Sequence, residues 1–325
     1  MKAAIVQAAG HTPRLGDFPE PVPSSGESRI AVTAAAISHI VKSQASGTHY
    51  SVSRQGPFVP FVAGIDGVGR LDDGRRVYFA LPRAPYGSMA EQVVARSSRC
   101  LPLPDGLDDV TAAAIANPGL SSWAAFTERA RLKAGETVLV NGATGTAGRL
   151  AVQIARYLGA GKVIATGRDA EALRSVAALG ADVTIPIAGS EAALEDAFKV
   201  QFAKGVDVVI DYLWGPSAER LLVSAAKAGA DGVPIRFVQI GAMSAPDINL
   251  PSAVLRSSAI ELMGSGLGSI PMDRLVNAIG ALLKAAIPGG FKIATKPVPL
   301  SDVEQAWPND DSRRRTVFTV DARRI

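Results

Sequence analysis

The chain has one cysteine among its 325 residues, which excludes an intramolecular disulfide. It also lacks the run of about 18 apolar residues that a membrane-spanning helix requires. Only a short apolar stretch precedes Gln7, too short for the core of a signal peptide. We therefore expect a cytoplasmic protein with no membrane partner.

The chain also has only a small excess of charge of one sign, with a net charge of +4. Lys and Arg number 34 against 30 Asp and Glu, and the basic residues are mostly scattered, with short clusters at 313–315 and 323–324. A nucleic-acid surface needs a longer basic stripe, so we expect no nucleic-acid partner. Hydrophobic residues make up 47% of the chain and charged residues 20%, values typical of a folded globular protein.

Length and strand pattern predict two domains in an α/β protein. Residues 1 to about 105 contain short strands broken by prolines, which is typical of a β-rich module. From about residue 111 strands and helices alternate, which predicts a doubly wound parallel sheet. Two more strands, predicted at 295–299 and 316–320, are expected to return to the first module.

The most informative motif is a glycine-rich turn between a strand, Thr137 to Val140, and a helix predicted over 149–158. Gly142 permits a tight turn, Gly145 lets backbone N–H groups reach a pyrophosphate, and Gly148 lets the helix pack against the strand. This context favours dinucleotide binding over a purely structural turn. The candidate cofactor-binding residues here are Gly142, Ala143, Thr144, Gly145, Thr146, Ala147 and Gly148.

The end of the next strand indicates which dinucleotide binds. An NAD site usually places Asp or Glu about 20 residues after the last glycine, and this chain has Thr166, Gly167 and Arg168 there. A guanidinium binds a 2′-phosphate through paired N–H donors, and Gly167 is expected to leave room for it, so we predict NADPH. Asp169 weakens this interpretation, and the alternative is that Arg168 is an ordinary surface residue.

Two further strand ends carry candidate residues, because ligands bind beyond the carboxyl ends of parallel strands. Ile240, Gly241 and Ala242 follow one strand and are predicted to contact the cofactor. Asp211 ends the strand before it, and we interpret this carboxylate as the cap of the following turn.

Motifs along essentially the whole chain occur in an order that resembles the zinc-independent quinone oxidoreductase branch of the medium-chain dehydrogenase/reductase superfamily. They lie at residues 1–4, 46–47, 86–91, 103–107, 112–114, 142–148, 207–211 and 299–307. The resemblance implies a GroES-like substrate domain formed by residues 1–117 and 266–325, and a Rossmann NADP-binding domain formed by residues 118–265. It also implies a homodimer joined through the Rossmann sheets.

The same resemblance implies chemistry without a metal. Zinc-using relatives carry a Cys in the segment that matches 37–39 and a His in the segment that matches 64–66, whereas this chain has Ser38 and Ile65. Without a metal to polarise a carbonyl, hydride transfer is easiest to an acceptor that delocalises charge, so we predict reduction of a quinone. The alternatives are reduction of an alkenal or enone double bond, and an NADPH-binding sensor or structural protein with little turnover.

Catalytic candidates follow from matched positions. Zinc-free relatives often place Asn where this chain has Ser38, and Tyr50 lies near a family tyrosine that borders the substrate. A phenol can donate to an oxyanion and pass on a proton, although Tyr50 could equally pack at the cleft mouth. Asn117 and Ser121 match positions that contact the nicotinamide region in relatives. Arg315, before the last strand, is interpreted by default as solvated surface charge.

Overall fold

The structure is a computed structural model that describes residues 1–48, 58–310 and 314–321. The chain forms two compact units, one made of Met1–Pro118 with Gly280–Ile325 and one made of Gly119–Ile279. The predicted α/β class is confirmed, since a parallel sheet lies in the second unit and a separate, mostly antiparallel sheet in the first. The functional roles of the two domains and their boundaries at 117 and 265, which the family resemblance implies, stay predictions.

The elements of the described residues are numbered along the chain. The strands are β1 (Lys2–Val6), β2 (Arg14–Asp17), β3 (Glu27–Ala36), β4 (Phe61–Val62), β5 (Asp66–Leu71), β6 (Arg76–Ala80), β7 (Gln92–Arg96), β8 (Cys100–Pro102), β9 (Thr137–Asn141), β10 (Lys162–Gly167), β11 (Val183–Pro186), β12 (Val208–Asp211), β13 (Ile235–Gln239), β14 (Ile260–Gly264), β15 (Thr295–Pro299) and β16 (Arg315–Thr319). The helices are α1 (His39–Ala45), α2 (Asp109–Ala124), α3 (Thr146–Tyr157), α4 (Ala170–Ala177), α5 (Glu191–Ala203), α6 (Gly215–Ala228), α7 (Ser252–Arg256), α8 (Met272–Ala285) and α9 (Val303–Ala306).

The first unit contains two sheets. One has the strand order β2-β1-β4, and the other has the order β15-β16-β3-β5-β6-β8, with β7 paired to β3 as well. Strands β15 and β16 are parallel to each other, and β16 runs antiparallel to β3. The two strands from the end of the chain therefore join the sheet of the N-terminal residues. Ile30, Phe79 and Phe318 are fully buried in the core that this sheet covers.

The second unit contains a six-stranded sheet with the order β11-β10-β9-β12-β13-β14, in which each neighbouring pair is parallel. Counted from β9, this is the order 3-2-1-4-5-6 of dinucleotide-binding folds. The buried residues Leu139, Ile164 and Val209 lie on three adjacent strands and join Phe198 and Phe237 in one core. The strand order reverses between β9 and β12, which is where such folds form a ligand crevice.

The connection between the units is one long helix, α2. Pro118 lies inside α2, which continues to Ala124 and then into a π-helical turn, Ala125–Ala130. The residues on both sides of Pro118 are largely buried, so packing maintains a helix that a proline would end in solvent. No helix in the described part of the chain is long and apolar enough to cross a membrane.

Candidate functional site

The glycine-rich turn joins β9 to α3 at the point where the strand order of the parallel sheet reverses. Gly142 has a φ of +88°, a conformation that residues with a side chain rarely adopt. A Cβ on Gly148 would overlap the carbonyl oxygen of Gly142, so the start of α3 contacts the turn at this glycine. Gly145 has open space where a Cβ would lie. Gly142 thus permits the tight turn, Gly148 lets α3 pack closely on the turn, and Gly145 leaves space for a ligand to approach the backbone.

Helix α3 begins at Thr146, three residues before the start predicted from the sequence. Gly145 is its N-cap residue, with an extended backbone conformation. The first N–H groups of a helix have no partner within it, and they attract anions together with the helix dipole. The earlier start places these donors directly after the turn, where a pyrophosphate would bind.

Thr166, at the end of β10, forms hydrogen bonds with the backbone of the glycine-rich turn. The N–H of Gly142 donates to Thr166 Oγ1 over 3.1 Å, and the N–H of Ala143 donates to the Thr166 carbonyl over 2.8 Å. These two N–H groups, predicted to line the cofactor site, are therefore used inside the protein. Backbone donors for a bound anion must come from the residues that follow, at the start of α3.

A buried polar network lies beneath the turn. Asn141 is fully buried, and its Nδ2 donates to Asp211 Oδ1 over 2.8 Å and to Ser217 Oγ over 3.0 Å. Its Oδ1 accepts the hydroxyl hydrogen of Thr166 over 2.6 Å. Asn141 was not predicted as a functional residue, although a polar residue that ends an apolar strand directly before the glycine is a signal visible in the sequence.

Asp211 caps the turn that follows β12, as the sequence indicated. Its carboxylate accepts the N–H groups of Leu213 (3.0 Å) and Trp214 (3.1 Å) in addition to Asn141. Burial raises the pKa of Asp211, although these hydrogen bonds oppose that shift. Trp214 has a φ of +56°, and the bonds to Asp211 hold this residue in an uncommon backbone conformation.

Gly167, at the end of β10, does not leave the open space that we expected for a 2′-phosphate. The space beside Gly167 is filled by Thr144 of the turn, whose methyl carbon a Cβ at Gly167 would overlap. Gly167 therefore allows the turn to pack on β10, whereas we expected it to leave room for a 2′-phosphate.

Arg168 is exposed and, among the residues that the structure describes, makes no hydrogen bond or ion pair. The neighbouring Asp169 accepts the N–H groups of Glu171 (2.8 Å) and Ala172 (3.2 Å) and so caps α4. The carboxylate that weakened the case for Arg168 thus has a local structural role. The Arg168 guanidinium remains available to a ligand beyond the carboxyl end of β10.

Ile240, Gly241 and Ala242 follow β13. The N–H groups of Ile240 and Gly241 both donate to the carbonyl of Asp211, over 2.8 and 3.2 Å. A Cβ on Gly241 would lie 2.8 Å from the carbonyl oxygen of Tyr212, so the two loops contact each other through this glycine. The predicted segment is thereby joined to the loop that follows β12.

Asn117 and Ser121 lie one turn apart on α2, and both are half-buried. Ser121 Oγ lies 3.2 Å from the phenolic oxygen of Tyr212. Burial raises the pKa of Tyr212 to about 12, so this phenol keeps its proton at neutral pH. The contact connects α2 to the loop after β12.

The two catalytic candidates are Ser38 and Tyr50. Ser38 is buried at the start of α1, and its Oγ accepts the N–H of Val41 over 3.2 Å, which makes it the N-cap of that helix. Its hydroxyl hydrogen remains able to donate. Tyr50 lies outside the described residues. The roles of both stay predictions.

Arg315 is buried, with 9% of its surface exposed, which corrects the default interpretation as surface charge. Its Nε and Nη2 have no hydrogen-bond partner in the described part of the chain. These two nitrogens can form a fork that matches the paired oxygens of a carboxylate or phosphate. Burial raises the pKa of nearby Asp66 to about 6, although Arg315 and a 3.0 Å hydrogen bond from Tyr78 lower it.

Within residues 1–48, 58–310 and 314–321, no group of three or more His, Cys, Asp and Glu residues is placed to hold a metal ion.

Comparisons with known proteins place these features in a wider context. Residues 147–283 match a family described as zinc-binding dehydrogenase. The chain is 30% identical to a probable NADPH-dependent quinone reductase of Emericella nidulans, over 98% of this chain and 100% of that protein. It is 31% identical to the quinone oxidoreductase of Rattus norvegicus, over 89% and 87% of the two chains. The quinone oxidoreductase of Thermus thermophilus, solved also as its complex with NADPH, matches with a TM-score of 0.81 and 28% identity over 98% of this chain and 100% of that one.

Proposed function

The chain belongs to the quinone oxidoreductase branch of the medium-chain dehydrogenase/reductase superfamily, and on that premise we propose that it is an NADPH-dependent reductase of quinones. The observation that carries the proposal is the turn from Gly142 to Gly148, which joins the central strand β9 to α3 at the strand-order reversal of a parallel sheet. This is where a fold of this class binds a dinucleotide.

The described residues fit NADPH. The pyrophosphate would lie at the start of α3, where Gly145 leaves open space and the helix N-terminus attracts negative charge. Thr166 and Arg168 would lie beside the adenosine ribose. The nicotinamide region would be contacted by the remaining candidates, which are Asn117, Ser121, Ile240, Gly241 and Ala242.

Arg168 supports NADPH over NADH, because its exposed guanidinium, which has no partner among the described residues, can bind a 2′-phosphate. Replacing it in Arg168→Ala should weaken NADPH binding about tenfold or more, the range of a hydrogen bond to a charged group, and leave NADH binding unchanged. Titration of NADPH and NADH fluorescence measures both dissociation constants. Arg174→Ala is the matched control, since Arg174 is an exposed arginine of α4. An equal effect on both cofactors would refute this role of Arg168.

Bound NADPH supplies a hydride from C4 of its nicotinamide. The chain has to place the acceptor and stabilise the negative charge that develops on its oxygen. The Ser38 hydroxyl, which still has a hydrogen to donate, and the phenol of Tyr50 are our candidates for that donor role. A quinone delocalises the incoming charge by itself, which supports a reaction that does not depend on zinc.

The assay follows NADPH oxidation with three groups of acceptors: quinones, enals and saturated ketones. We expect turnover with quinones, little with ketones, and no loss after treatment with a chelator. Faster turnover of enals would favour a double-bond reductase. Tight NADPH binding without turnover of any acceptor would favour a sensor. A divalent cation that proves essential, or ketone turnover rivalling that of quinones, would contradict the proposal.

We also propose that the chain forms a homodimer through β14, the edge strand of the parallel sheet. Glu261 and Leu262 of this strand are exposed, and β14 pairs only with β13 among the described residues. An open strand edge of this kind is suited to pairing with a second copy.

A further inference from the structure

We propose that Asn141 is a positioning residue, which holds the dinucleotide turn and the loop after β12 in one fixed arrangement. The inference rests on the proposed NADPH function and names a residue that neither the motif nor the comparisons assign. Asn141 ends β9, directly before Gly142, and its side chain is fully buried. It bonds to Thr166 at the end of β10, to Asp211 at the end of β12 and to Ser217 near the start of α6.

Each end of the Asn141 amide has a fixed role. An ionised carboxylate has no hydrogen to donate, so Asp211 acts only as an acceptor. The group of Asn141 that faces it over 2.8 Å must therefore be the amide Nδ2. The Oδ1 atom then faces Thr166, whose single hydroxyl hydrogen it accepts. Because that hydrogen is used, Thr166 Oγ1 acts as an acceptor towards the N–H of Gly142, over 3.1 Å. The side chain of Asn141 thus holds the backbone of the turn through one intermediate hydroxyl.

On its other side, Asn141 orients the carboxylate that shapes the loop. Asp211 accepts the N–H groups of Leu213 and Trp214 and so fixes the backbone after β12. Tyr212 in this loop has its phenolic oxygen 3.2 Å from Ser121, the residue proposed to lie near the nicotinamide. The network therefore connects the part of the site proposed for the pyrophosphate with the part proposed for the nicotinamide.

Burial makes this network sensitive to single changes. A hydrogen bond in a water-free interior is stronger than one in solvent, and leaving one partner unsatisfied is costly. Asp211 and Thr166 are as fully buried as Asn141. Loss of one member should therefore displace the turn and the loop, while leaving the rest of the sheet in place.

Two variants test the role. Asn141→Asp has the same size and still accepts from Thr166, but it places a second carboxylate oxygen against Asp211. Thr166→Val removes the hydroxyl and keeps the shape, and Thr166→Ser restores the hydroxyl. The matched control is Asp207→Asn, because Asp207 Oδ2 accepts the N–H of Thr137 over 2.8 Å at the opposite ends of the same two strands.

We expect the NADPH dissociation constant to rise about tenfold or more in Asn141→Asp and in Thr166→Val, a range that corresponds to one lost charge-assisted or buried hydrogen bond. The KM for the quinone should stay unchanged, and Thr166→Ser, which restores the hydroxyl that donates to Asn141, should recover most of the NADPH affinity that Thr166→Val loses. Asp207→Asn should lower the melting temperature without changing NADPH binding. Fluorescence titration and steady-state kinetics give these quantities, and thermal unfolding shows that each protein is folded at the assay temperature.

The outcomes separate the two proposals. If the wild-type chain binds NADPH and both variants bind it equally well, the positioning role is refuted and the proposed function stands. If all variants, the control included, weaken NADPH binding in proportion to their loss of melting temperature, Asn141 is merely structural and the inference is again refuted. If the wild type fails to bind NADPH, the proposed function fails and this inference fails with it. Should Asn141→Asp not fold, Thr166→Val and its serine rescue decide alone.

Discussion

Asp66 has a carboxyl group that is buried beside the buried guanidinium of Arg315. Burial raises the pKa of Asp66 to about 6, against about 3.9 in an unfolded chain. Between these values the folded chain keeps a proton that the unfolded chain has lost. The contribution of Asp66 to the free energy of unfolding is therefore fully present below about pH 4. It is lost as the pH rises to about 6 and changes little above that value. Over the full pH range, the stability lost in this way is about 3 kcal/mol.

The variant Asp66→Asn should lack this dependence on pH. Relative to the variant, the wild type should lose about 2 kcal/mol of unfolding free energy between pH 4 and pH 6.5, measured by urea denaturation. Tyr78→Phe serves as the comparison. Because Tyr78 donates to Asp66 Oδ2 and lowers its pKa, removing the phenolic hydroxyl should extend the loss to higher pH. Parallel stability curves for wild type and Asp66→Asn would show that the carboxyl does not titrate in this range.

The roles of individual residues were predictable where these roles depend on neighbouring residues in the chain. Gly142 has the positive φ that a tight turn requires, and Asp211 caps the turn directly after it in the chain. Arg315 was not predictable, since it stands at the end of three consecutive arginines, a pattern typical of solvated charge. Its burial depends on β16 pairing with both β3 and β15, contacts with residues distant along the chain.

At the scale of elements, the central strands of the parallel sheet were easier to predict than its edge strand β14. Strands β9, β10 and β12 are nearly continuous apolar runs, because both faces of a parallel sheet are covered. Strand β14 was not predicted. Its residues are half-buried or exposed and include Glu261, so it has neither a continuous apolar run nor a regular alternation.

The contact between the glycine-rich turn and β10 gives a prediction for these two elements. A Cβ in Gly167→Ala would overlap the methyl group of Thr144, which should cost about 1–3 kcal/mol of unfolding free energy, the range for overpacking a buried site. Thr144→Ser removes that methyl group and keeps the hydroxyl. The double variant should therefore recover much of the stability that Gly167→Ala loses. Urea denaturation of the four proteins measures this coupling, and strictly additive effects would show that the two side chains do not meet.

For the whole molecule, the sequence predicted the α/β class and the return of the chain end to the N-terminal unit, both of which the structure contains. The buried network around Asn141 could not be predicted in the same way. Its members lie 25, 70 and 76 residues away along the chain and meet only because β9 pairs with β10 on one side and β12 on the other. The candidate site was thus predictable as a motif, and its supporting hydrogen bonds were not.

The proposed dimer is a property of the whole molecule, and it gives the last prediction. A parallel sheet that ends in a half-exposed strand leaves backbone N–H and C=O groups open at its edge, and pairing with a second copy satisfies them. Light scattering after size-exclusion chromatography should therefore give twice the mass of one chain. Leu262→Arg should yield monomers, because its 38% exposed side chain would bring like charges together at the two-fold axis. Val200→Arg is the control, since Val200 is 50% exposed on α5 and α5 contacts β11 at the opposite edge of the sheet. A wild-type monomer at micromolar concentration would contradict the dimer, and an equal loss of dimer in both variants would assign the interface to another surface.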